Sequence, residues 1–111
     1  MSRPHVLVVE GDEQLRTTMI EDLTDLLGDA AEIVAARTGE HGLTAAREIV
    51  AAGHRLPVGF IERTLPGLPG AELALAMHDE PALSHTRCVL VTKATSLSNV
   101  DAALTRGAVH G

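Results

Sequence analysis

The chain contains no tryptophan, no tyrosine and a single phenylalanine, Phe60. Proteins that bind single-stranded nucleic acid stack the bases on aromatic rings, and this composition provides no such platform. Basic residues are also few, with 9 lysines and arginines against 15 aspartates and glutamates, so the net charge is −6. An acidic surface repels phosphate backbones and anionic lipid headgroups. We therefore expect no nucleic-acid contact by this domain and no membrane association.

Cysteine and long apolar runs are scarce as well. Cys88 is the only cysteine, which excludes an internal disulfide and favours a reducing compartment. No stretch approaches the roughly 20 apolar residues that a membrane-spanning helix needs. The first residues, Met1 to His5, lead directly into an apolar run and carry no secretion signal. These features predict one small cytoplasmic domain that covers residues 1–111.

What the chain does contain is an alternation of short apolar runs and amphipathic segments. The apolar runs predict four strands, at 6–9, 33–36, 58–61 and 88–91. Helices are predicted from about Asp12 to Leu27, from Thr38 to Gly53, from Gly70 to about His78, and around Leu97 to Leu104 with an end at Gly107. Such an alternation implies a parallel sheet with helices on both faces. The predicted fold class is therefore α/β, a flavodoxin-like, doubly wound parallel sheet of about four βα units.

Polar side chains follow three of the predicted strands. Glu10 follows the first strand, Glu62 the third and Thr92 the fourth. In open parallel sheets, sites form beyond the carboxyl ends of the strands, near the point where the strand order reverses. The first and third strands are neighbours in a flavodoxin-like order. We therefore expect Glu10 and Glu62 to face each other across one crevice.

The segment that contains Glu62 resembles the phosphorylation loop of response-regulator receiver domains. In that family an aspartate ends the third strand, a hydrophobic-Pro-Gly triplet begins three residues later, and a glycine follows at plus eight. Leu65-Pro66-Gly67 and Gly70 stand at those offsets from Glu62, which takes the place of the aspartate. Further segments resemble the family in its own order, namely Val8–Glu13 with Arg16, Thr38–Glu40, Val89–Thr92 and Arg106–Ala108. The resemblance implies a receiver-like domain over nearly the whole chain.

This resemblance also implies a chemistry. Receiver domains accept a phosphoryl group from a histidine kinase on their aspartate, because Mg²⁺ neutralises the charges of the two anionic partners. The metal is held by that aspartate, by acids after the first strand, and by a backbone carbonyl two residues beyond the nucleophile. A hydroxyl and a later lysine bind the phosphoryl oxygens. The corresponding positions here are Glu62, then Glu10 and Gly11, then Thr64, and for the hydroxyl Thr92.

Several of these positions depart from the family. Glu62 extends its carboxylate by about 1.5 Å, the length of one C–C bond. Gly11 lacks the acid that binds the metal directly, and Asp12, one residue late, is expected to cap the first helix. Lys93 stands where a small residue is usual, and we expect it to pair with Glu62 in place of a metal. No cofactor is therefore expected; a metal, if bound, would have Glu10, Asp12, Glu62 and Thr64 as its ligands.

Three classes of function remain open from the sequence. The first is a non-enzymatic pseudo-receiver, in which Glu62 is a solvated loop acid without a role, a fixed substitute for phospho-aspartate, or part of a vestigial site. The second is a divergent receiver that still accepts a phosphoryl group with Mg²⁺, on Asp12 or Glu62. The third is a small α/β enzyme or ligand-binding domain of unrelated mechanism, but no GxGxxG, P-loop or nucleophile elbow supports it. The first is preferred because it requires no residue that the sequence lacks.

The expected partner is a protein, either a histidine kinase or an effector domain in a longer chain. The sequence ends before the family's fifth strand and fifth helix, so it is truncated relative to that family. Without the fifth strand, the fourth becomes an apolar edge, which favours pairing with another chain. The sequence thus predicts either a fragment of a longer protein or a homodimer formed through the Arg87–Thr92 edge or the fourth helix.

Overall fold

The structure is a computed structural model, and it describes residues 3–92. Its elements in chain order are β1 (His5–Val9), α1 (Glu13–Leu27), a 3-10 turn (Gly28–Ala30), β2 (Glu32–Ala36), α2 (Gly39–Ala51), β3 (Val58–Glu62), α3 (Gly70–Asp79) and β4 (Arg87–Val91). The four predicted strands and the first three predicted helices are confirmed. The predicted fourth helix and the Arg106–Ala108 segment lie outside the described residues.

The four strands form one parallel sheet in the order β2-β1-β3-β4. β1 lies between β2 and β3. The chain passes from β1 to β2 on one side and then crosses to β3 on the other side, so the direction of strand addition reverses at β1. In register, Val9 of β1 pairs with Ile61 of β3, and Glu62 pairs with Val91 of β4. The α/β, flavodoxin-like architecture predicted from the sequence is therefore confirmed, and the carboxyl ends of β1, β3 and β4 lie side by side.

Helices cover both faces of the sheet, and each face has its own core. One core packs α2 and α3 against the sheet, with buried residues that include Leu7, Val9, Ala46, Ile49, Leu73 and Met77. The other packs α1 against the opposite face, with buried residues that include Val6, Val8, Leu23, Phe60 and Val89. The two inner strands, β1 and β3, are buried on both sides, which explains why each reads as a continuous apolar run.

The α1 helix begins and ends at the residues that the sequence indicates. Asp12 is its N-cap, because the Asp12 carboxylate accepts a hydrogen bond of 3.0 Å from the Leu15 N–H. Gly28 follows its last residue with φ of 54°, a conformation that glycine adopts without strain. Near its end, Leu27 packs against the core while Leu26 is 59% exposed. Among the helices of residues 3–92, none is long and apolar enough to cross a membrane.

The inner face of α2 includes the predicted residues and extends beyond them. The sequence favours Leu43, Ala46 and Val50 as that face; Ala46 is buried, and Leu43 and Val50 are half-buried and pack against the same core. The other buried positions of the helix are Gly39, Gly42 and Ile49. A Cβ atom at Gly42 would lie 2.8 Å from a methyl group of Val9, so α2 approaches β1 more closely than a side chain permits. The hydrophobic periodicity of the sequence does not indicate that close approach.

Candidate functional site

The sheet brings three polar residues to one edge. Glu10 directly follows β1, Glu62 is the last residue of β3, and Thr92 directly follows β4. Because Val9 pairs with Ile61, Glu10 and Glu62 stand side by side on neighbouring strands. Both glutamates are only 3% exposed, whereas Thr92 is exposed. The crevice expected at the carboxyl ends of the strands is thus lined by two buried carboxyl groups.

Glu10 is held by its neighbours on the chain. Its Oε2 accepts a hydrogen bond of 3.0 Å from the Asp12 N–H, and its carbonyl oxygen accepts one of 3.0 Å from the guanidinium of Arg16. Its own N–H donates to the carbonyl of Ala36 at the end of β2. Burial raises the pKa of Glu10; the hydrogen bond from Asp12 opposes this rise, and the neighbouring Glu62 adds to it.

Glu62 is buried and tied to the loop that follows it. Its Oε1 accepts hydrogen bonds from the Thr64 N–H at 3.2 Å and from the Thr64 hydroxyl at 3.1 Å. Its Oε2 is buried and has no hydrogen-bond partner among the described residues. The interpretation of Glu62 as a solvated loop acid is therefore wrong. A buried carboxylate oxygen without a donor costs free energy, so the site needs a compensating group.

Gly11 and Asp12 do not supply a further acid to the crevice. Gly11 is exposed, and a Cβ atom there would lie 3.4 Å from the Arg37 carbonyl and from Cδ of Pro66, so a side chain finds room. Asp12 is exposed and its Oδ1 is occupied in capping α1. Across residues 3–92, no group of three or more His, Cys, Asp or Glu residues is placed to hold a metal ion.

The loop between β3 and α3 has the geometry that its residue pattern demands. Leu65 is buried at 6% exposure, and Gly67 has φ of 75°, which favours glycine. Gly70, the first residue of α3, lies against the end of β3, where a Cβ atom would be 2.2 Å from the Glu62 carbonyl oxygen. Each of the three positions thus has its own structural requirement: burial of an apolar side chain at Leu65, a positive φ at Gly67 and close backbone contact at Gly70.

The sequence does not predict the role of the Thr64 hydroxyl, because the resemblance to receivers concerns only the Thr64 backbone carbonyl. Threonine side chains often form local hydrogen bonds with nearby groups, and the position of Thr64 two residues after Glu62 is the one feature that could have indicated this bond. Lys93, and with it the predicted Lys93–Glu62 ion pair, lies outside the described residues. The structure places Glu10, Glu62 and Thr64 together.

Removing the Thr64 hydroxyl is expected to loosen Glu62. We predict that Thr64→Val, which keeps the side-chain shape, lowers the free energy of unfolding by about 1 kcal/mol because one hydrogen bond to a carboxylate is lost. Thr64→Ser keeps the hydroxyl and is the matched control. Urea unfolding followed by far-UV circular dichroism measures both variants. Equal stability of the Val and Ser variants would show that the hydroxyl contributes nothing.

Several solved structures similar to this chain are response-regulator receiver proteins. The chemotaxis response regulator CheY4 of Vibrio cholerae matches with a TM-score of 0.71 and 21% sequence identity, over 98% of this chain and 84% of that chain. A response regulator receiver protein from Pseudomonas putida matches with a TM-score of 0.67 and 19% identity, over 99% and 84%. A response regulator receiver domain protein from Clostridium thermocellum matches with a TM-score of 0.64 and 20% identity, over 96% and 79%.

At the level of sequence, no protein-family model and no curated protein matches this chain. The structural likeness nonetheless extends over almost the entire chain, and it agrees with the parallel order β2-β1-β3-β4 and with the crevice at the ends of β1, β3 and β4. The chain therefore has the CheY-like fold of response-regulator receiver domains.

Proposed function

We propose that this chain is an atypical receiver module in signal transduction, which is not phosphorylated in the usual way and acts through protein–protein contacts rather than as an enzyme. One observation carries the proposal. At the end of β3, where the receiver pattern has its nucleophile, stands a buried glutamate, and one of its carboxylate oxygens is held by Thr64. Relative to aspartate, glutamate also carries its carboxylate about 1.5 Å further out, and a displacement of that size is costly for in-line attack on a phosphoryl group.

The surrounding residues support the absence of a magnesium-dependent reaction. Mg²⁺ requires near-octahedral oxygen ligands at fixed distances. Here Gly11 offers no side chain, Asp12 caps α1, and one oxygen of Glu10 accepts from the Asp12 N–H. These residues do not fit the magnesium site that the resemblance to receivers implies. We therefore assign no phosphoryl transfer to this chain.

Under this proposal Glu62 acts as a fixed substitute for a phosphorylated aspartate. A switch responds to any charge that favours one of two packings, whether the charge is added by a kinase or is built into the chain. Glu62 places a negative charge at the end of β3, one strand away from Thr92 at the end of β4. A module with this charge would stay in its output state without a kinase.

The proposed partner is a protein, either a histidine kinase or an effector domain joined to this module in a longer chain. A second copy of the chain is proposed to pair along Arg87–Thr92 or through the fourth helix. Within residues 3–92, β4 is the last strand in the order β2-β1-β3-β4, and its segment Cys88–Val91 is apolar. Sedimentation at several concentrations tests the dimer: we expect self-association, and a monomer whose β4 amides are fully protected from hydrogen exchange would contradict it.

Phosphorylation itself is tested directly. The chain is incubated with Mg²⁺ and a small acyl phosphate donor, and its intact mass is measured alongside that of an authentic receiver domain as positive control. We expect the mass of this chain to stay unchanged while the control gains a phosphoryl group. A stoichiometric gain that is lost in Glu62→Gln would overturn the proposal and establish the divergent, magnesium-dependent receiver.

A further inference from the structure

Two stacked histidines join separate segments of the chain at the amino-terminal end of the strands. His5 is the first residue of β1, and His54 lies in the connection between α2 and β3. Their ring centroids are 4.4 Å apart, and the ring planes are inclined by 25°. This pair, named the histidine stack, lies at the end of the sheet opposite the crevice, so its properties do not depend on the proposed function.

The main chain fixes both members of the histidine stack. The His5 N–H donates a hydrogen bond of 2.8 Å to the carbonyl oxygen of Arg55, and the His54 N–H donates one of 3.1 Å to that of Ile49 in α2. Because side chains alternate along a strand, His5 shares a face of the sheet with Leu7, the face that α2 covers. Both histidines are half-buried there. The contact between the rings therefore follows from the backbone around them.

The ring nitrogens of the histidine stack differ in their partners. Nδ1 of His5 lies 3.3 Å from the carbonyl oxygen of Arg3, within reach of a hydrogen bond. Nδ1 of His54 is buried and has no hydrogen-bond partner among the described residues. A neutral imidazole carries one N–H, whereas a protonated imidazole carries an N–H on each nitrogen. Protonation of His54 within the stack thus buries a donor that has no acceptor, which costs free energy.

The charges around the histidine stack do not compensate two protonated rings. The neighbouring segments carry five charged residues, namely Arg3 before β1, Glu32 in β2, Arg47 and Glu48 near the end of α2, and Arg55 after His54. Arg3 is ion-paired with Glu32, and Arg47 is ion-paired with Glu80. The remaining Glu48 and Arg55 are exposed and opposite in sign. The carboxyl end of α2 favours one nearby positive charge, but two such charges at 4.4 Å repel each other.

We propose that the histidine stack accommodates one proton and opens when both rings are protonated, so that acid weakens the tie between β1 and the α2–β3 connection. Histidine side chains ordinarily change charge between about pH 5 and pH 8. Above that range both rings are neutral and can stack. Below it, both rings are charged in the unfolded chain, and the folded chain can match this only by holding two cations together or by separating them. The stabilising contribution of the stack is therefore present at neutral pH and lost as the pH falls.

Proton NMR of the histidine rings, from about pH 8 to about pH 5, tests the proposal on the unmodified chain. We expect a nuclear Overhauser contact between the rings of His5 and His54 at neutral pH that is lost on acidification. We also expect the two rings to titrate in two separate steps, whereas the exposed His85, the internal reference, titrates in one. A ring contact that persists after both rings are protonated would overturn the proposal, as would one-step titration of both rings.

The variant His5→Phe keeps an aromatic ring in the stack but cannot take a proton. In this variant we expect His54 to titrate in one step and its contact with the ring at position 5 to persist in acid. Urea unfolding provides the second readout: the stability of His5→Phe relative to the unmodified chain is expected to rise as the pH falls. His85→Phe, the matched control at an exposed position, is expected to give a difference that does not change with pH. The same pH dependence for both variants would contradict the proposal.

Discussion

The double variant Gly11→Asp, Glu62→Asp is expected to gain magnesium-dependent phosphorylation, whereas Glu62→Asp alone is not. Shortening residue 62 moves its carboxylate back by about 1.5 Å. It does not add the second acid that a hard cation needs, and only Gly11→Asp supplies that acid. The new side chain has room, since a Cβ atom at position 11 lies no closer than 3.4 Å to Arg37 and Pro66. A misplacement of about 1 Å can lower a rate about a hundredfold, so we expect the double variant to be phosphorylated at least about a hundred times faster than Glu62→Asp alone.

The measurement is the rate of phosphoryl incorporation from an acyl phosphate donor at saturating Mg²⁺. Gly11→Asn in the Glu62→Asp background is the matched control, because it fills the same space without a negative charge. Robust phosphorylation of Glu62→Asp alone would contradict our account of the metal site. Equal rates for the Asp and Asn variants at position 11 would contradict the role given to the second acid.

Substituting Gly70 is expected to cause the largest loss of stability. A Cβ atom at this position would lie 2.2 Å from the Glu62 carbonyl oxygen and 3.1 Å from Cα of Arg63. Both are backbone atoms that no side-chain rotation can move away. The start of α3 must therefore shift away from β3, and we predict that Gly70→Ala lowers the free energy of unfolding by at least about 2 kcal/mol.

Gly59→Ala is the matched control for this prediction. Gly59 is buried in β3, and a Cβ atom there meets Leu7 at 3.7 Å, an ordinary contact distance. We expect this variant to lose no stability and to gain up to about 1 kcal/mol, because alanine restricts the unfolded chain. Urea unfolding by circular dichroism compares the two variants. If the Gly70→Ala protein were as stable as Gly59→Ala, the close contact between the start of α3 and the end of β3 would not be needed for stability, and the prediction would be wrong.

The parts of the structure that follow from chain-wide patterns were predictable from the sequence. Continuous apolar runs mark strands that are buried on both faces, and Val6–Val9 is one of these. Because β1 and β3 are parallel neighbours, the residues that follow β1 and β3 lie at the same end of the sheet, beyond the carboxyl ends of the strands. For that reason the sequence alone predicts that Glu10 and Glu62 lie close together.

Features that depend on local conformation were not predictable. The close packing of Gly42 on β1, where a Cβ atom would lie 2.8 Å from a methyl group of Val9, is a tertiary effect that periodicity does not indicate. Leu83 is fully buried inside the α3–β4 connection, where no periodicity marks it. The side-chain bond from Thr64 to Glu62 depends on how the loop turns after β3. Sequence reasoning also left open whether Glu62 is solvated, because burial at a strand end depends on the elements around it.

An amide NMR titration of the unmodified chain with Mg²⁺, and then with beryllofluoride as a mimic of aspartyl phosphate, tests the central claim most directly. Our account predicts no saturable shift at residues 10–12, at residues 62–64 or at Thr92, because the crevice presents two buried glutamates and, within residues 3–92, no complete set of metal ligands. Saturable shifts at those residues, with beryllofluoride binding only after Mg²⁺, would contradict it. The chain would then be a divergent receiver that still takes metal and phosphate.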